Sequence, residues 1–330
     1  MKAGVPRLLC ISILLLLCAL PLAAQDTADD DGRLGDQPRH VISIYLSSGA
    51  NWLSLDKNAG LLLEPQTILD LNHAGATTAG LGYKLGSFRV GASMRTDAGL
   101  GPESRIRDLY SSWTGRHWGL LAYYQAYEGF YMTSEESSTE RLNPDDPYEY
   151  PSLRLMGTGL SAYWFPWGRG FDFSLRDGLA DPRLGFTPFA VAKVGYFSLS
   201  NDAPLLDRAG PGLSTEYYDI TWLRSIQGSL SAGLAFVLPL GPFYIAPAAY
   251  AGLSASYAGA GSADVGGFSA AELSGFGLVP DFGFQAQVGF TSRRLSFGVG
   301  FANVLQRAAL GELLVELANL QATFFCSLRF

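Results

Sequence analysis

The chain has 330 residues, of which 48% are hydrophobic and only 16% are charged, and its formal net charge is −7. Glycine supplies 39 of the 330 residues, roughly 12%, whereas a typical soluble domain has about 7% Gly and about 25% charged residues. The aromatic content of 13% excludes a disordered chain, and negative charge without a basic cluster excludes a nucleic-acid-binding protein. After the first two dozen residues, no run of about 18 apolar residues could cross a bilayer as a helix. The composition therefore favours a β protein that contacts lipid.

The N-terminus has the pattern of a secretory signal. Basic residues precede an apolar stretch from Leu8 to Leu20, and small residues follow just before Gln25. We predict a signal peptide over residues 1–24, a flexible periplasmic leader over residues 25–39 and one barrel domain over residues 40–330. Together with the C-terminal strand and the alternating segments described below, this signal predicts a location in the outer membrane of a diderm bacterium.

The C-terminus has the pattern of a membrane strand that ends on an aromatic residue. Phe324, Cys326, Leu328 and Phe330 alternate with other residues, which is the period of a β-strand. Such an ending resembles the signal by which the barrel-assembly machinery recognises the last strand of outer-membrane barrels. We predict that these four residues form an assembly signal, and that the assembly machinery and outer-membrane lipids are partners. Cys326 is also the only cysteine after the signal peptide, so no internal disulfide can form.

The body of the chain is a series of alternating segments. In residues 281–291, large apolar residues alternate with small or polar ones, as expected for a wall between lipid and a lumen. The same alternation recurs at residues 87–94, 118–127, 229–238, 243–254 and 295–302. We predict an all-β fold, a single antiparallel transmembrane β-barrel of about 12–14 strands, with an even count because both ends belong on the periplasmic side.

The polar faces of these segments are assigned to the lumen. We expect Arg89, Asp281, Gln285 and Gln287 to face the lumen and to set its character. An ion pair between Arg89 and a lumen acid such as Asp281 is the structural alternative. The small residues on these faces, mostly Gly, either leave room inside a closed barrel or mark bulges.

The lengths of the connections predict the orientation, because bacterial barrels have short periplasmic turns and long external loops. Short turns are predicted at Lys84–Gly86, Trp113–Arg116, Pro166–Gly170, Pro239–Pro242 and Ser292–Arg294. Longer connections are predicted near residues 96–104, 133–152 and 258–278. The segment Ala50–Gly75 could be a strand, a loop over the mouth or a short helix.

Several short motifs occur in an order that resembles one bacterial family. In chain order they are Leu81–Lys84, Asp108–Tyr110, the tyrosine-rich stretch Tyr123–Tyr131, Tyr163-Trp164 and Phe171–Ser174. This order resembles the family called domain of unknown function 4421, over roughly His40 to Phe330. The resemblance implies an exported, barrel-like protein, and it supplies no activity and no functional residues.

No motif in the chain points to catalysis or to a cofactor. Asp70 and His73 could form a dyad at the barrel rim, as in a lipid-modifying enzyme, or a solvated loop pair. The acidic stretch Glu135–Tyr150 could supply oxygen ligands to Ca²⁺ or form a solvated external loop. We expect no catalytic residue, metal or cofactor, with the rim enzyme as the alternative.

The function predicted from the sequence is transport or carriage in the outer membrane. The protein is expected to be a narrow channel or a carrier for a small ligand or hydrophobic solute. The alternative is a surface structural or adhesion protein with a closed lumen that acts through its external loops.

Overall fold

The computed structural model describes residues 40–57, 66–73, 77–96, 105–132, 149–168, 170–179, 182–205, 220–262 and 273–330. The predicted signal peptide, the leader and most of the acidic stretch Glu135–Tyr150 lie outside these described residues. Within the described residues, no helix is long and apolar enough to cross a membrane.

Strands make up most of the described chain. They are β1 (His40–Lys57), β2 (Gln66–His73), β3 (Thr77–Leu85), β4 (Phe88–Arg95), β5 (Arg105–Thr114), β6 (Trp118–Met132), β7 (Glu149–Trp164), β8 (Gly185–Ser200), β9 (Trp222–Leu240), β10 (Phe243–Gly261), β11 (Leu273–Thr291), β12 (Leu295–Leu310) and β13 (Leu313–Arg329). From β7 onwards the strands have 16 to 19 residues, which exceeds the roughly 9–11 residues that a tilted strand needs to span a bilayer.

The sheet closes on itself because β1 pairs antiparallel with β13. Going round from β1, the ring passes through β3 to β13 in order, so twelve strands form a closed antiparallel barrel. The predicted all-β barrel of 12–14 strands is confirmed.

The segment Ala50–Gly75 contributes to the wall. It supplies the end of β1 and the whole of β2. On the same edge of β1, β3 pairs with His40–Ser48 and β2 pairs with the following residues Asn51–Lys57. Beyond the connection that joins the short strands β4 and β5, β2 pairs directly with β6. Of the three structures left open for this segment, the described residues therefore adopt the strand.

Both chain ends of the barrel and most of its short turns lie at one end, which we call the turn end; the opposite end, where the two-residue turn Gly311–Glu312 joins β12 to β13, is the loop end. At the turn end, the backbone N–H of His40 donates to the carbonyl of Phe330 at 3.2 Å, and the N–H of Phe330 donates back to His40 at 3.1 Å. Turns of two or three residues join β3 to β4, β9 to β10 and β11 to β12 at this end.

The alternation of each strand gives the barrel an apolar exterior. On β13, Phe324 and Leu328 are exposed, whereas Phe325 and Ser327 between them are buried. The exposed apolar residues of the neighbouring strands include Ile226, Leu230, Leu234, Phe243, Leu253, Phe282, Phe284, Val288, Phe297 and Phe301. An apolar outer face on a closed barrel is the surface that a lipid environment requires.

Inward-facing glycines accommodate the aromatic rings of directly opposed residues. The pairs are Tyr45–Gly80, Tyr110–Gly91, Tyr123–Gly159, Phe189–Gly233, Trp222–Gly261, Tyr244–Gly289, Tyr250–Gly283 and Phe325–Gly298. At each of these glycines, an added Cβ would lie under 3.0 Å from a ring atom of its partner. The glycine excess therefore has a packing cause, because a ring laid along the wall needs a neighbour without a side chain.

Apolar side chains fill the loop end of the barrel interior. This apolar cluster consists of Leu53, Leu55, Ile106, Tyr127, Leu153, Leu155, Phe197, Leu199, Leu205, Ile220, Leu223, Ala258, Ala260, Ala308, Leu310, Leu313, Val315 and Leu317. Its members come from nine strands and from the connection between β8 and β9. The cluster forms the larger part of the core because inward positions here are apolar instead of polar.

The prediction of a short turn at Pro166–Gly170 is wrong. β7 ends at Trp164 and β8 begins only at Gly185, and the connection between them enters the barrel. We call residues 170–179 the inward segment. Phe171, Leu175 and Asp177 in this segment are buried. The segment folds inwards because its aromatic and acidic side chains find partners on the inner wall.

Candidate functional site

A cavity of about 230 Å³ lies inside the barrel. It contacts Leu175 and Arg176 of the inward segment on one side and Leu317 of the apolar cluster on the other. Seven amide side chains line it: Gln125, Gln227, Gln285, Asn303, Gln306, Asn319 and Gln321. The rings of Tyr123, Tyr163, Phe173 and Tyr250 also line it. The cavity is therefore rich in uncharged hydrogen-bonding groups and in aromatic surface.

Arg89 of β4 anchors the inward segment that forms the floor of this cavity. Its Nη1 donates to Asp172 Oδ1 at 2.8 Å and its Nη2 to Asp172 Oδ2 at 2.6 Å, which is the bidentate geometry of a strong ion pair. Nη2 also bonds Oδ2 of Asp177. The Arg89 side chain is only 3% exposed, so these carboxylates are what make its burial tolerable.

The two carboxyl groups around Arg89 differ in their proton affinity. Burial raises the pKa of a carboxyl group, but for Asp172 the bidentate Arg89 guanidinium outweighs burial and holds the pKa below its usual range. For Asp177, burial dominates and the pKa lies above its usual range. Asp172 is therefore the main counter-charge of Arg89.

Further hydrogen bonds fix the end of the inward segment. Arg329 Nη2 donates to the carbonyl of Leu179 at 2.8 Å, and the N–H of Leu179 donates to Tyr244 Oη at 3.1 Å. Tyr244 in turn donates to Gln287 Oε1 at 3.0 Å, and Gln287 Nε2 donates to the carbonyl of Asp177 at 3.1 Å. Residues of β10, β11 and β13 thus hold the segment from the side opposite Arg89.

Aromatic packing fixes the start of the inward segment. The Phe173 ring stacks on Tyr163 with centroids 4.2 Å apart, and it meets the Phe189 ring edge-on at 4.8 Å. The Phe171 ring lies edge-on to Phe173 at 4.9 Å. These contacts bury the Phe171 and Phe189 rings and place the partly buried Phe173 in the cavity lining.

A second ion pair, between the partly buried Lys193 and the buried Asp281, lies in the cavity wall. Lys193 Nζ of β8 bonds both carboxylate oxygens of Asp281 on β11, at 3.0 and 2.8 Å. Ser229 and Ser231 donate to Asp281 Oδ2 at 3.0 and 2.6 Å. The Lys193 ammonium also lies 3.9 Å from the centroid of the Tyr250 ring. The pair crosses the lumen, since β8 and β11 are not neighbours in the sheet.

Arg176 brings a positive charge to the corner of the cavity next to β5. Its guanidinium carbon lies 4.2 Å from the centroid of the Tyr110 ring, and Nη2 lies 3.9 Å from Asp108 Oδ2. Among the described residues, Tyr45 Oη, Ser93 Oγ, Asp108 Oδ1 and Tyr110 Oη are buried without a hydrogen-bond partner. Buried polar atoms normally have partners; of these four residues, only Tyr110 lines the cavity.

The four predicted lumen residues occupy different layers of the interior. Arg89 and Gln287 lie in the floor, Asp281 lies in the wall, and Gln285 lines the cavity. The alternative pairing of Arg89 with Asp281 does not occur, because the inward segment supplies the acids for Arg89 and Lys193 is the partner of Asp281. The predicted assembly residues Phe324, Cys326, Leu328 and Phe330 are exposed on the outside.

Sequence reasoning missed the inward segment and Lys193. One signal was present for Lys193, because it is the only charged residue in β8 (Gly185–Ser200). A lone charge among inward positions of a long apolar strand requires a buried partner. Asp172 and Asp177 gave no comparable signal, because they follow the turn predicted at Pro166–Gly170, and carboxylates beside a turn are ordinarily solvated.

The described residues do not test the other chemistry considered for Asp70, His73 and the acidic stretch Glu135–Tyr150. Asp70 and His73 lie on β2, and their side chains lie outside the described part. Within the described residues, no group of three or more His, Cys, Asp or Glu side chains could hold a metal ion.

Comparisons with known proteins give similarity of structure only. No family model matches the chain, and no curated protein matches it in sequence. The outer-membrane protease OmpT from Escherichia coli is 11% identical with a TM-score of 0.42, over 89% of this chain and 97% of that chain. The translocator domain of the autotransporter NalP from Neisseria meningitidis is 12% identical with a TM-score of 0.40, over 93% and 92%. The toluene transporter TodX from Pseudomonas putida is 10% identical with a TM-score of 0.25, over 88% and 90%.

Proposed function

We propose that this protein is an outer-membrane β-barrel of the exported, barrel-like family that its motifs resemble, and that it holds a small uncharged solute in its lumen. The location is supported by the closed antiparallel barrel, its apolar exterior and the signal-like N-terminus. In this orientation the turn end faces the periplasm and the loop end faces outwards.

The observation that carries the proposal is the cavity that lies between the inward segment and the apolar cluster. An open pore needs a continuous polar track along the lumen. Here the track ends at Arg89, Asp172 and Asp177 towards the turn end, and at apolar side chains towards the loop end. Of the two roles predicted together, channel and carrier, this arrangement favours the carrier.

The chemistry of the lining selects the class of ligand. Its charged side chains already have partners: Lys193 pairs with Asp281, Arg307 pairs with Glu316 at 2.6 Å, and Arg176 lies over the Tyr110 ring with Nη2 3.9 Å from Asp108 Oδ2. The remaining groups are amides, hydroxyls and aromatic rings, which suit an uncharged molecule with both an apolar face and hydrogen-bonding groups. The volume of about 230 Å³ lies below the ~300–1,000 Å³ of sites for drug-sized ligands.

Equilibrium binding of a small probe tests this proposal. We expect purified protein in lipid nanodiscs to bind tritiated 2-naphthol, an uncharged amphipathic phenol at pH 7, at one saturable site. Ala248→Phe places a ring in the cavity and should weaken binding by about tenfold or more.

The matched control is Ala251→Phe on the same strand. Ala251 is exposed on the outer face of β10, so this variant should bind the probe as the unaltered protein does. Absence of saturable binding, or equal binding by the Ala248→Phe variant, would overturn the proposal. In that case the closed lumen favours the alternative role of a surface structural protein acting through its external loops.

The absence of catalysis stays a prediction. The alternative, a lipid-modifying enzyme at the rim, depends on His73. Lipid chemistry that is present in the purified protein and lost in a His73→Ala variant would support that alternative.

A further inference from the structure

The hydrogen-bonded wall of the barrel is interrupted between β11 and β12. These strands pair from Thr291↔Ser296 at the turn end up to Gly283↔Val304, and no pair joins the described residues beyond that point. Above the break, the ladder of Leu273–Phe282 of β11 joins only β10, and the ladder of Leu305–Ala308 of β12 joins only β13. Nearer the hairpin tip, the N–H of Ala309 donates to Ser256 Oγ of β10 at 3.4 Å. We call the edges Leu273–Phe282 and Leu305–Ala308, which no ladder joins to each other, the seam.

The strands overlap at the seam instead of lying side by side. The alternation of β12 and β13 assigns Ala309 and Leu314 to the outer face, yet both are buried in one cluster with Val279, which faces inwards on β11. The inward face of Gly277 likewise lies against Ala309. The tip of the β12–β13 hairpin therefore lies on the inner side of β11.

The overlap leaves a path between the cavity and the exterior below the hairpin tip. Pro280 of β11 and Leu305 and Arg307 of β12 line the lumen cavity, although Leu305 and Arg307 occupy outward positions of their strand. The Arg307 guanidinium lies 5.4 Å from the centroid of the Phe282 ring, which is exposed on the outside of the barrel. Arg307 thus contacts both the cavity and the outer surface.

Pro280 fits this arrangement. Proline lacks a backbone N–H, so within sheets it occurs at edges and bulges. Pro280 pairs with Leu253 of β10 on one side and has no partner on β12. A proline at this position can therefore lie in a strand that is hydrogen-bonded to β10 alone, and it would interrupt a ladder to a second strand on the other side.

The height of the break locates the seam in the membrane. Gly283 is nine residues from Ser292 at the turn end, which corresponds to ~23 Å at about 3.3 Å per residue and a tilt of about 40°. The apolar band of such barrels is about 25 Å tall. The unpaired edges therefore begin near the outer membrane–water interface, where water and headgroups can satisfy backbone groups that hydrocarbon could not.

We propose that the seam is the lateral entrance by which a small uncharged amphipathic molecule passes from the outer membrane interface into the lumen cavity. Amphipathic solutes concentrate at this interface, and the seam opens there onto a cavity of matching chemistry. The inward segment and the apolar cluster occupy the two axial routes, which leaves the wall as the route. This inference rests on the proposed function and assigns an entrance to the same site.

Locking the seam tests the route. In a Cys326→Ser background, Phe282→Cys and Arg307→Cys place thiols on facing positions of the seam. The protein is loaded with tritiated 2-naphthol in nanodiscs, cross-linked with a methane bis-thiosulfonate reagent and diluted into probe-free buffer. We expect the locked protein to release the probe at least about tenfold more slowly than the same protein before cross-linking, and reduction of the cross-link to restore release.

A control pair lies across the same two strands where the ladder is intact. Val288 and Val299 are directly opposed, so Val288→Cys and Val299→Cys can be cross-linked without closing the seam. Equal release from locked and unlocked seam variants, or equal trapping by the control pair, would overturn the lateral route. Absence of saturable binding before any cross-linking would instead show that the proposed function has failed, and the entrance with it.

Discussion

The ring of Tyr123 on β6 lies across Gly159, the residue directly opposed to it on β7. A methyl group added at Gly159 would lie 2.7 Å from Cε1 of that ring. Gly157 occupies the same inward face two residues earlier, and a methyl group there meets nothing within 4 Å. The two glycines therefore separate the effect of ring packing from the general effect of glycine in a strand.

We predict that Gly159→Ala destabilises the barrel by about 1–3 kcal/mol, because it forces the Tyr123 ring out of its place. Gly157→Ala should be neutral or stabilise the barrel by about 0.5–1 kcal/mol, since alanine loses less backbone entropy than glycine. Urea unfolding in lipid vesicles, followed by heat-modifiable migration on gels, measures both variants. Equal midpoints would contradict the packing role of the inward glycines.

Removal of Arg89 should have a large effect on stability. Arg89→Met removes the guanidinium from a buried site and leaves Asp172 with only the Lys84 ammonium at 3.9 Å. Loss of one partner of a buried pair costs about 3–5 kcal/mol. Arg154→Met is the control. The Arg154 side chain is 64% exposed in its ion pair with Glu128, and an exposed ion pair contributes only about 0–1 kcal/mol to stability. The same unfolding measurement distinguishes them, and similar losses for both would contradict the anchoring of the inward segment.

The Lys193–Asp281 pair should behave as a coupled unit. Lys193→Met alone leaves a buried carboxylate with only hydroxyl donors, so we expect a loss of about 3–5 kcal/mol. Adding Asp281→Asn removes the uncompensated charge and should restore part of that loss. A double-mutant cycle measures the coupling energy, and strictly additive effects would show that the two side chains do not interact across the lumen.

The C-terminal residue closes the barrel as well as ending the predicted assembly signal. Phe330 exchanges two backbone hydrogen bonds with His40, and its ring stacks on His40 at 5.9 Å. Deletion of Phe330 should reduce the amount of folded, heat-modifiable barrel in the outer-membrane fraction. Phe330→Tyr keeps the backbone bonds and the ring and should assemble normally. Normal assembly after the deletion would contradict both roles.

The sequence was sufficient to predict the wall and insufficient to predict its interior. Alternation in stretches such as residues 281–291 depends on local chemistry, because each side chain faces either lipid or lumen. The course of Phe171–Leu179 depends on Arg89 and Arg329, which are distant in sequence, so a local pattern could only indicate a turn. The burial of Ala309 against Val279 is hidden for the same reason, since an alanine fits either face of a strand.

The inward glycines were predictable in part, more than the interior segment and less than the strands of the wall. Their excess and their inward positions were visible in the sequence, and both suggested small residues on the lumen face. Their pairing with aromatic residues depends on register, and register became visible only when the strands were aligned. Once it is known, Tyr250 opposite Gly283 and Tyr244 opposite Gly289 form a repeated pattern on two neighbouring strands.

The central claim is that the lumen is a binding chamber closed along the barrel axis, and recording ion current across planar bilayers tests it most directly. Protein labelled with a fluorophore at the exposed Cys326 shows by its fluorescence that barrels are present in the bilayer. We predict no stable conductance steps from these barrels, because the inward segment and the apolar cluster block the axial path. Reproducible steps of one size would contradict the closed lumen and establish a pore.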